Sequence, residues 1–248
     1  MLRSNQLMAL LSTNQSKPRR YEVLRAENGD SATIYIYDVI DSFFGVAAEK
    51  IVKDLKALTT PVIHVRINSP GGDVFDARAI ATAISQHPSK IIAHVDGLAA
   101  SAASYVAIAA AEVEMSPGSF LMIHRAWSMA FGNAEDLRAT ADVLEKIDGT
   151  LIEDYTKHTG QPTETVAAWL NAETWFTAEE AVTNGFADRV SEDPKASNRW
   201  DLSVYASTIP EALILETLEE DPSIRIEAEM EVAQADRRRR VDFLSHIA

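Results

Sequence analysis

The sequence predicts an α/β domain built on a largely parallel β-sheet, and three observations lead there. Short β-rich runs alternate with segments of helical periodicity from Ala32 to about Val190. The helical segments are long enough to carry the chain back across a sheet between parallel strands. A breaker cluster at Asn68–Gly72 and a glycine at Gly97 punctuate the alternation.

Residues 1–30 read as a partly flexible N-terminal segment that contains the polar, basic stretch Ser16-Lys17-Pro18-Arg19-Arg20. Ala32–Asp38 alternates in hydropathy and is rich in β-formers, so a strand is expected there. Val46, Ala47, Ile51, Leu55 and Leu58 fall at helical spacing and predict a helix over Val46–Leu58. Pro61 opens a second strand, Val62–Ile67, and Val74–Gln86 is helical again. Ile91–Val95 is a third strand, followed by a tight turn of small residues and an Ala-rich helix from about Ser101 to Ala111. Phe120–His124 is a fourth strand. Ala134–Thr159 predicts a long helix with a narrow stripe of Leu137, Ala141, Leu144, Ile147, Leu151 and Tyr155 between charged flanks. Thr163–Leu170 and Thr177–Gly185 are short helices, the second capped by Thr177 with Glu180 three residues on. Beyond Val190 acids outnumber bases as far as Asp236, and Arg237–Arg240 and a short amphipathic end follow. The expected organisation is an N-terminal segment 1–30, a domain 31–190 and an acidic, partly mobile extension 191–248.

Composition removes several functions. A chain of 248 residues with 46% hydrophobic content can bury a full core without staples. It has no cysteine, which excludes disulfides, thiolate catalysis and Cys-bound zinc and fits a reducing cytoplasm. A formal net charge of −14 repels phosphate backbones and argues against a nucleic-acid partner. Leu7–Leu11 is too short for a signal-peptide core. The apolar run Ile91–Ala111 is interrupted by His94 and Asp96 and consists largely of Ala, Ser and Gly. It reads as a buried strand and helix, so no membrane partner is expected. There is no His-Glu-x-x-His helix, Gly-x-x-x-x-Gly-Lys loop or Gly-x-Gly-x-x-Gly turn, so neither a metal nor a cofactor is expected.

Three local patterns carry chemistry. In Ile67-Asn68-Ser69-Pro70-Gly71-Gly72 a strand runs into paired glycines, which admit positive φ and let a ligand meet bare N–H groups. An ordinary tight turn would look the same. In Gly97-Leu98-Ala99-Ala100-Ser101-Ala102-Ala103-Ser104 a strand leads through small residues to a serine at the start of a helix. That serine is either a nucleophile with room above it or a simple N-cap. In Met122-Ile123-His124 an imidazole ends an apolar strand, where it can be held rigidly; a lone histidine is more often structural. His64, His87, His94, His158 and His246 lack such a setting, and His94 is the main competitor for a base role because it lies near the serine.

Together, Asn68-Ser69-Pro70-Gly71-Gly72, Ala99-Ala100-Ser101 and Met122-Ile123-His124 resemble the three signature blocks of ClpP-type serine peptidases, in the same order and at similar separations. His158-Thr159-Gly160-Gln161 and Phe176-Thr177-Ala178-Glu179-Glu180-Ala181 extend the resemblance over roughly Ala32–Val190. It implies a ClpP/crotonase-like βαβ spiral with a protruding long helix. Ser101 would be the nucleophile and His124 the base, with the N–H groups of Gly72 and Ala102 forming the oxyanion hole. A peptide would lie extended along the glycine strand, bonded to the backbone at Gly71, Asp73 and Val74. The loop Arg125–Asn133, with Trp127, Met129 and Phe131, would either line a side-chain pocket or form an oligomer contact.

One position departs from the pattern. The family's acid sits two residues before the aromatic matched by Phe176, and Thr174 occupies that place. Glu173 is the adjacent carboxylate and the preferred third member, with a neutral hydrogen bond from Thr174 as the alternative. The wording Ala172–Ala181 resembles the phage and prophage branch, whose members are head maturation proteases. That likeness implies scaffold and capsid precursors as protein substrates, with the acidic extension as a contact or a self-processed tail. The family likeness also implies a ring-forming homo-oligomer in which the long helix takes part. Other readings are a crotonase-type acyl-CoA enzyme, which needs no Ser–His pair, and a catalytically weak or structural subunit. A Ser-Lys signal-peptide peptidase would need an anchor and a placed lysine, and neither is found.

Overall fold

The computed structural model describes residues 14–15 and 19–192. The readings of Leu7–Leu11, of the start of the basic stretch, of His246 and of the extension from residue 193 onward lie outside the described residues. Eight strands form one sheet: β1 (Tyr21–Arg25), β2 (Ser31–Ile36), β3 (Val62–Ser69), β4 (Lys90–Ala100), β5 (Glu112–Met115), β6 (Phe120–Ile123), β7 (Thr174–Thr177) and β8 (Arg189–Val190). Their order is β1-β2-β3-β4-β5-β8, with β6 beside β4 and β7 beside β6. Only the β1–β2 and β6–β7 pairs are antiparallel. The expected parallel sheet is thus present, extended at two ends by short strands.

Within residues 19–192 six helices connect the strands: α1 (Ala48–Lys56), α2 (Val74–Ser85), α3 (Ala102–Ala107), α4 (Ala134–Thr159), α5 (Thr163–Ala172) and α6 (Ala178–Thr183). The period-2 pattern of the strands sets which sheet face the helices cover. Ala32, Ile34 and Ile36 on β2, Ile63, Val65 and Ile67 on β3, and Ile91, Ala93 and Val95 on β4 point into one core. Ile51 and Leu55 of α1, Ile80 and Ile84 of α2, and Val106 of α3 pack there as well. The opposite face carries Tyr35 and, joined by hydrogen bonds, Tyr37, His64, Arg66, His94, Asp96 and Glu114. His64 Nδ1 meets His94 Nε2 at 2.8 Å, His94 Nδ1 meets Glu114 at 3.0 Å, and Arg189 donates to Glu114 at 2.6 Å. Arg66 and Tyr37 both donate to Asp96.

The structure corrects three expectations. Gly97–Ala100 is not a turn: β4 continues through it, leaving β5 after Val95 and pairing Leu98–Ala100 with Phe120–Met122 of β6. The helix after Ser101 consequently ends at Ala107 rather than Ala111. Val74 is the first residue of α2, as the expected Val74–Gln86 helix has it, and Asp73 is that helix's N-cap, accepting from the N–H groups of Phe75 and Asp76. Finally, the N-terminal segment contains an ordered strand, β1, because its backbone pairs with Ala32–Ile36 of β2.

Helix α4 matches the expected Ala134–Thr159 span. Asn133 and Asp136 form a capping box at its start, and Gly160 ends it in the left-handed conformation. Its C-terminal half is docked through Asp148, Leu151 and Tyr155, while its first three turns are exposed, with Leu137 and Val143 about half accessible.

Candidate active site

Ser101 stands where β4 leaves its ladder with β6. Its N–H donates to Met122 O at 2.9 Å, so the residue is still registered on the sheet. Its backbone then turns to φ 54°, ψ −125°, a conformation that non-glycine residues avoid at a cost of about 1–3 kcal/mol. The strain is held in place from the helix side, where the Ser104 N–H and hydroxyl both donate to Ser101 O, at 3.0 and 2.7 Å. Such a turn lifts the side chain clear of both strand and helix. Ser101 therefore makes no capping bond to α3, which removes the N-cap reading.

The glycine pair is pressed against this turn. A Cβ on Gly71 would lie 2.6 Å from Ala100 O and 2.8 Å from the Ser101 Cβ, and φ is +96° there. On the other side, a Cβ on Gly72 would lie 2.0 Å from Ile40 O. Ile40 pairs with this segment, donating to Gly71 O and accepting from Asp73 N–H. Among the described residues no hydrogen bond occupies the backbone N–H of Gly72 or of Ala102. Two unused amides thus flank the serine. Of the three positions expected to meet an extended peptide, Gly71 has both backbone groups engaged, its carbonyl by Ile40 N–H and its N–H by Ser69 Oγ, while the Asp73 N–H is engaged by Ile40 O and the Asp73 carboxylate is turned to its own helix.

His124 follows β6, a strand buried at every position, which fixes where the ring emerges. Its Nε2 lies 2.7 Å from Ser101 Oγ. On the other side, Nδ1 lies 3.8 Å from Glu173 Oε2, and both side chains are about one-tenth exposed. Glu173 reaches that place because it caps α5 in the left-handed conformation, φ 52°. The β6–β7 register pairs Ile123 with Thr174, so the residue before Thr174 comes opposite His124. Thr174 itself donates its hydroxyl to Trp169 O at 2.8 Å.

The competing histidines lie elsewhere. Both ring nitrogens of His94 are occupied, by His64 and Glu114, on the polar face of the sheet. His87 bonds Leu55 O and the N–H of Ser89, and His158 bonds Phe186 O. Burial holds His158 below the usual histidine range, and burial followed by the neighbouring His94 and Arg66 does the same for His64. Trp127, Met129 and Phe131 project from the loop after His124, Phe131 almost fully exposed. Among the described residues no His/Cys/Asp/Glu cluster could hold a metal, and no helix is long and apolar enough to cross a membrane.

Sequence reasoning missed Asp148 of α4, which is 4% exposed. It accepts from Arg125 Nε and from the N–H of Ala126, both at 2.7 Å, directly after His124. The one available signal was its place three residues before Leu151 and seven before Tyr155, on the stripe that docks.

The sequence model of a family described as Clp protease matches residues 21–194. The ATP-dependent Clp protease proteolytic subunit 1 of Protochlamydia amoebophila is 36% identical over 169 residues, which span 65% of this chain and 81% of that protein. The corresponding subunit 2 of Thermobifida fusca is 34% identical over 130 residues, 52% of this chain and 64% of that protein. Among solved structures, a point mutant of ClpP1 from Listeria monocytogenes shares the fold with a TM-score of 0.59. That match, at 22% identity, covers 67% of this chain and 93% of the other.

Proposed function

The chain belongs to the Clp protease family, and from that premise we propose that it is a serine endopeptidase with Ser101 as nucleophile and His124 as general base. The observation that carries the reading is the 2.7 Å contact between Ser101 Oγ and His124 Nε2, beside two amides that no hydrogen bond from the described residues occupies. His124 removes the hydroxyl proton as Oγ bonds to the peptide carbonyl carbon. The carbonyl electron pair moves to oxygen, where the N–H groups of Gly72 and Ala102 receive it. Collapse breaks the C–N bond, and His124 returns the proton to the leaving amine. Water, deprotonated by the same ring, then hydrolyses the acyl-enzyme. Glu173 is the third member, its carboxylate facing the Nδ1 side of the imidazolium that forms, a reading supported by the commitment of the Thr174 hydroxyl proton to Trp169 O.

The substrate is a protein segment held extended beside the glycine pair. The finer reading is processing of phage scaffold and capsid precursors in the host cytoplasm or the assembling procapsid. It rests on the wording of residues 172–181 and on the acidic extension, which lies outside the described residues. Assembly into a homo-oligomeric ring is supported by the exposed Leu137 and Val143 on the free half of α4 and by the exposed loop before it. The acidic extension is a candidate self-processing substrate.

Mass spectrometry of the full chain after fluorophosphonate treatment tests the chemistry. One phosphonyl adduct is expected on Ser101 in the wild type and none in Ser101→Ala, and His124→Ala should slow labelling by at least about 10²-fold. A crotonase-type enzyme or a silent subunit would leave the wild type unlabelled. Trimming of the extension in the wild type but not in Ser101→Ala is the expected companion result. An unchanged trimming pattern would assign the cleavage to another protease.

A further inference from the structure

We propose that Asp148 of α4 is a positioning residue for His124, acting through the two residues that follow the histidine; the inference rests on the Ser101–His124 pair proposed above. A carboxylate that is 4% exposed is costly unless both oxygens are satisfied. Here they are divided between two targets: Oδ2 accepts from the Arg125 guanidinium and Oδ1 from the Ala126 backbone N–H. The Arg125 N–H in turn donates to Leu170 O of α5. The chain leaving His124 is therefore clamped on one side by α4 and on the other by α5, the helix whose C-cap is Glu173.

Packing alone does not explain an acid at this position. Leu151, one turn on, fills the same helix face with an apolar side chain, and an apolar residue at 148 would serve that purpose as well. What an apolar residue cannot supply is a fixed place for the Ala126 amide, two residues beyond the base. The Arg125 side chain is half exposed, and this end of the ion pair is free to exchange with water. The backbone bond is the part that orients.

The same helix touches the nucleophile by a separate route. The Ser104 hydroxyl gives its proton to Ser101 O, so the 2.8 Å contact between Ser104 and Tyr155 has the phenol as donor. Complete burial keeps Tyr155 protonated well above its ordinary range. Asp148 and Tyr155 lie two turns apart on one face of α4, one acting on the backbone after His124 and the other on the backbone of Ser101. A rigid helix thus sets the relative placement of the two reacting groups.

Four full-length variants test this: Asp148→Leu, Asp148→Asn, Arg125→Ala and Tyr155→Phe. Each is followed by the pH profile of Ser101 labelling with a fluorophosphonate and by an imidazole NMR titration of His124. Asp148→Leu keeps a branched side chain but is bulkier and leaves the Ala126 N–H without its acceptor, so it should still fold, with a thermal midpoint below that of the wild type. It should also lower kcat and the labelling rate by about tenfold or more, with KM nearly unchanged. The His124 titration midpoint should move by about half a pH unit or more. Asp148→Asn keeps one acceptor for Ala126 and should recover part of the loss, and Arg125→Ala should cost less than Asp148→Leu. Tyr155→Phe should slow labelling while leaving the His124 titration in place. Wild-type labelling rate and an unmoved His124 titration in Asp148→Leu would overturn the proposal. If the wild type itself fails to label, the peptidase reading falls; the NMR titration still decides whether Asp148 governs His124.

Discussion

Opposite His124, one backbone conformation decides which side chain faces the ring. Thr174 begins β7 and is tied into it, its hydroxyl donating to Trp169 O. Glu173 closes α5 with φ 52°, a left-handed turn that costs a non-glycine residue about 1–2 kcal/mol and swings the carboxylate toward His124 Nδ1. The 3.8 Å separation is longer than a hydrogen bond, as is common before substrate closes a site. Glu173→Ala is therefore expected to lower kcat by about 10² to 10⁴-fold with little change in KM, measured on a fluorogenic peptide. Thr174→Ala should stay within about threefold of the wild type. A larger loss for Thr174→Ala than for Glu173→Ala would reverse the assignment. Gly71 is the steric counterpart. Gly71→Ala would drive a Cβ into Ala100 O and the Ser101 side chain, so it should abolish labelling of Ser101 even in protein that remains folded. Ser101, His124 and Gly72 were legible in the sequence because their residue types are tied to chemistry at fixed spacing. Glu173 was legible only as a neighbour of the expected position, since its backbone angle has no sequence signature. Asp148 was not legible, because a charged residue on an amphipathic helix reads as solvated until the packing is known.

Helix-forming composition and sheet pairing compete in the segment Gly97–Ala100, and pairing wins. Alanine favours helix, but the backbone groups of Leu98, Ala99 and Ala100 find partners in β3 and β6, and tertiary pairing overrides a weak local preference. The small side chains still matter, since they let Gly71 approach to contact distance. The long elements were legible from periodicity, while β1, β5, β7 and β8 were not: each is five residues or fewer and is defined by the strand beside it. Helix α4 shows both kinds of stability in one element. Its second half is fixed by Leu151 and Tyr155, whereas its first three turns rest on local terms, the capping box above all. Replacing Asn133 by Ala removes the cap, worth about 1 kcal/mol, from a segment that contributes little to the core. In the isolated subunit, hydrogen exchange of residues 135–140 should accelerate several-fold, with the thermal midpoint nearly unchanged. A marked fall in that midpoint would mean that the first turns are part of the cooperative unit.

The polar face of the parallel sheet gives the whole molecule a pH dependence whose sign follows from its histidines. Parallel sheets are usually covered on both sides; here one face is a ladder of His64, His94, Glu114 and Arg189 beside Arg66, Asp96 and Tyr37. The 2.8 Å contact between the two imidazoles requires one nitrogen to accept, so only one ring of the pair can be cationic while the contact lasts. Burial, then the positive neighbours His94 and Arg66, hold His64 below its ordinary value of 6.5 against an opposing pull from Glu114. Burial does the same for His158, partly offset by Phe186 O and Asp188. In both cases the unfolded chain binds the proton more readily than the folded one, so stability is full above about pH 6.5 and is lost as pH falls through 6.5 toward the folded value. The carboxylates respond lower on the scale. Burial raises Glu114, but its bonds from His94 and Arg189 outweigh that and bring it below 4.5, so its contribution persists until pH drops through its folded value. The net charge of −14 does not mask the effect, because few carboxylates take up protons above about pH 5.5. Urea unfolding at about pH 7.5, 6.5 and 5.5 should therefore give midpoints that decline with acidification. Replacing His64 and His158 together by Gln should flatten the decline, because both groups that resist protonation in the fold are then gone. A wild-type midpoint that holds steady or rises across that acidification would show that the imidazoles accept protons as easily in the fold as outside it, against the burial and charge placement that the ladder imposes.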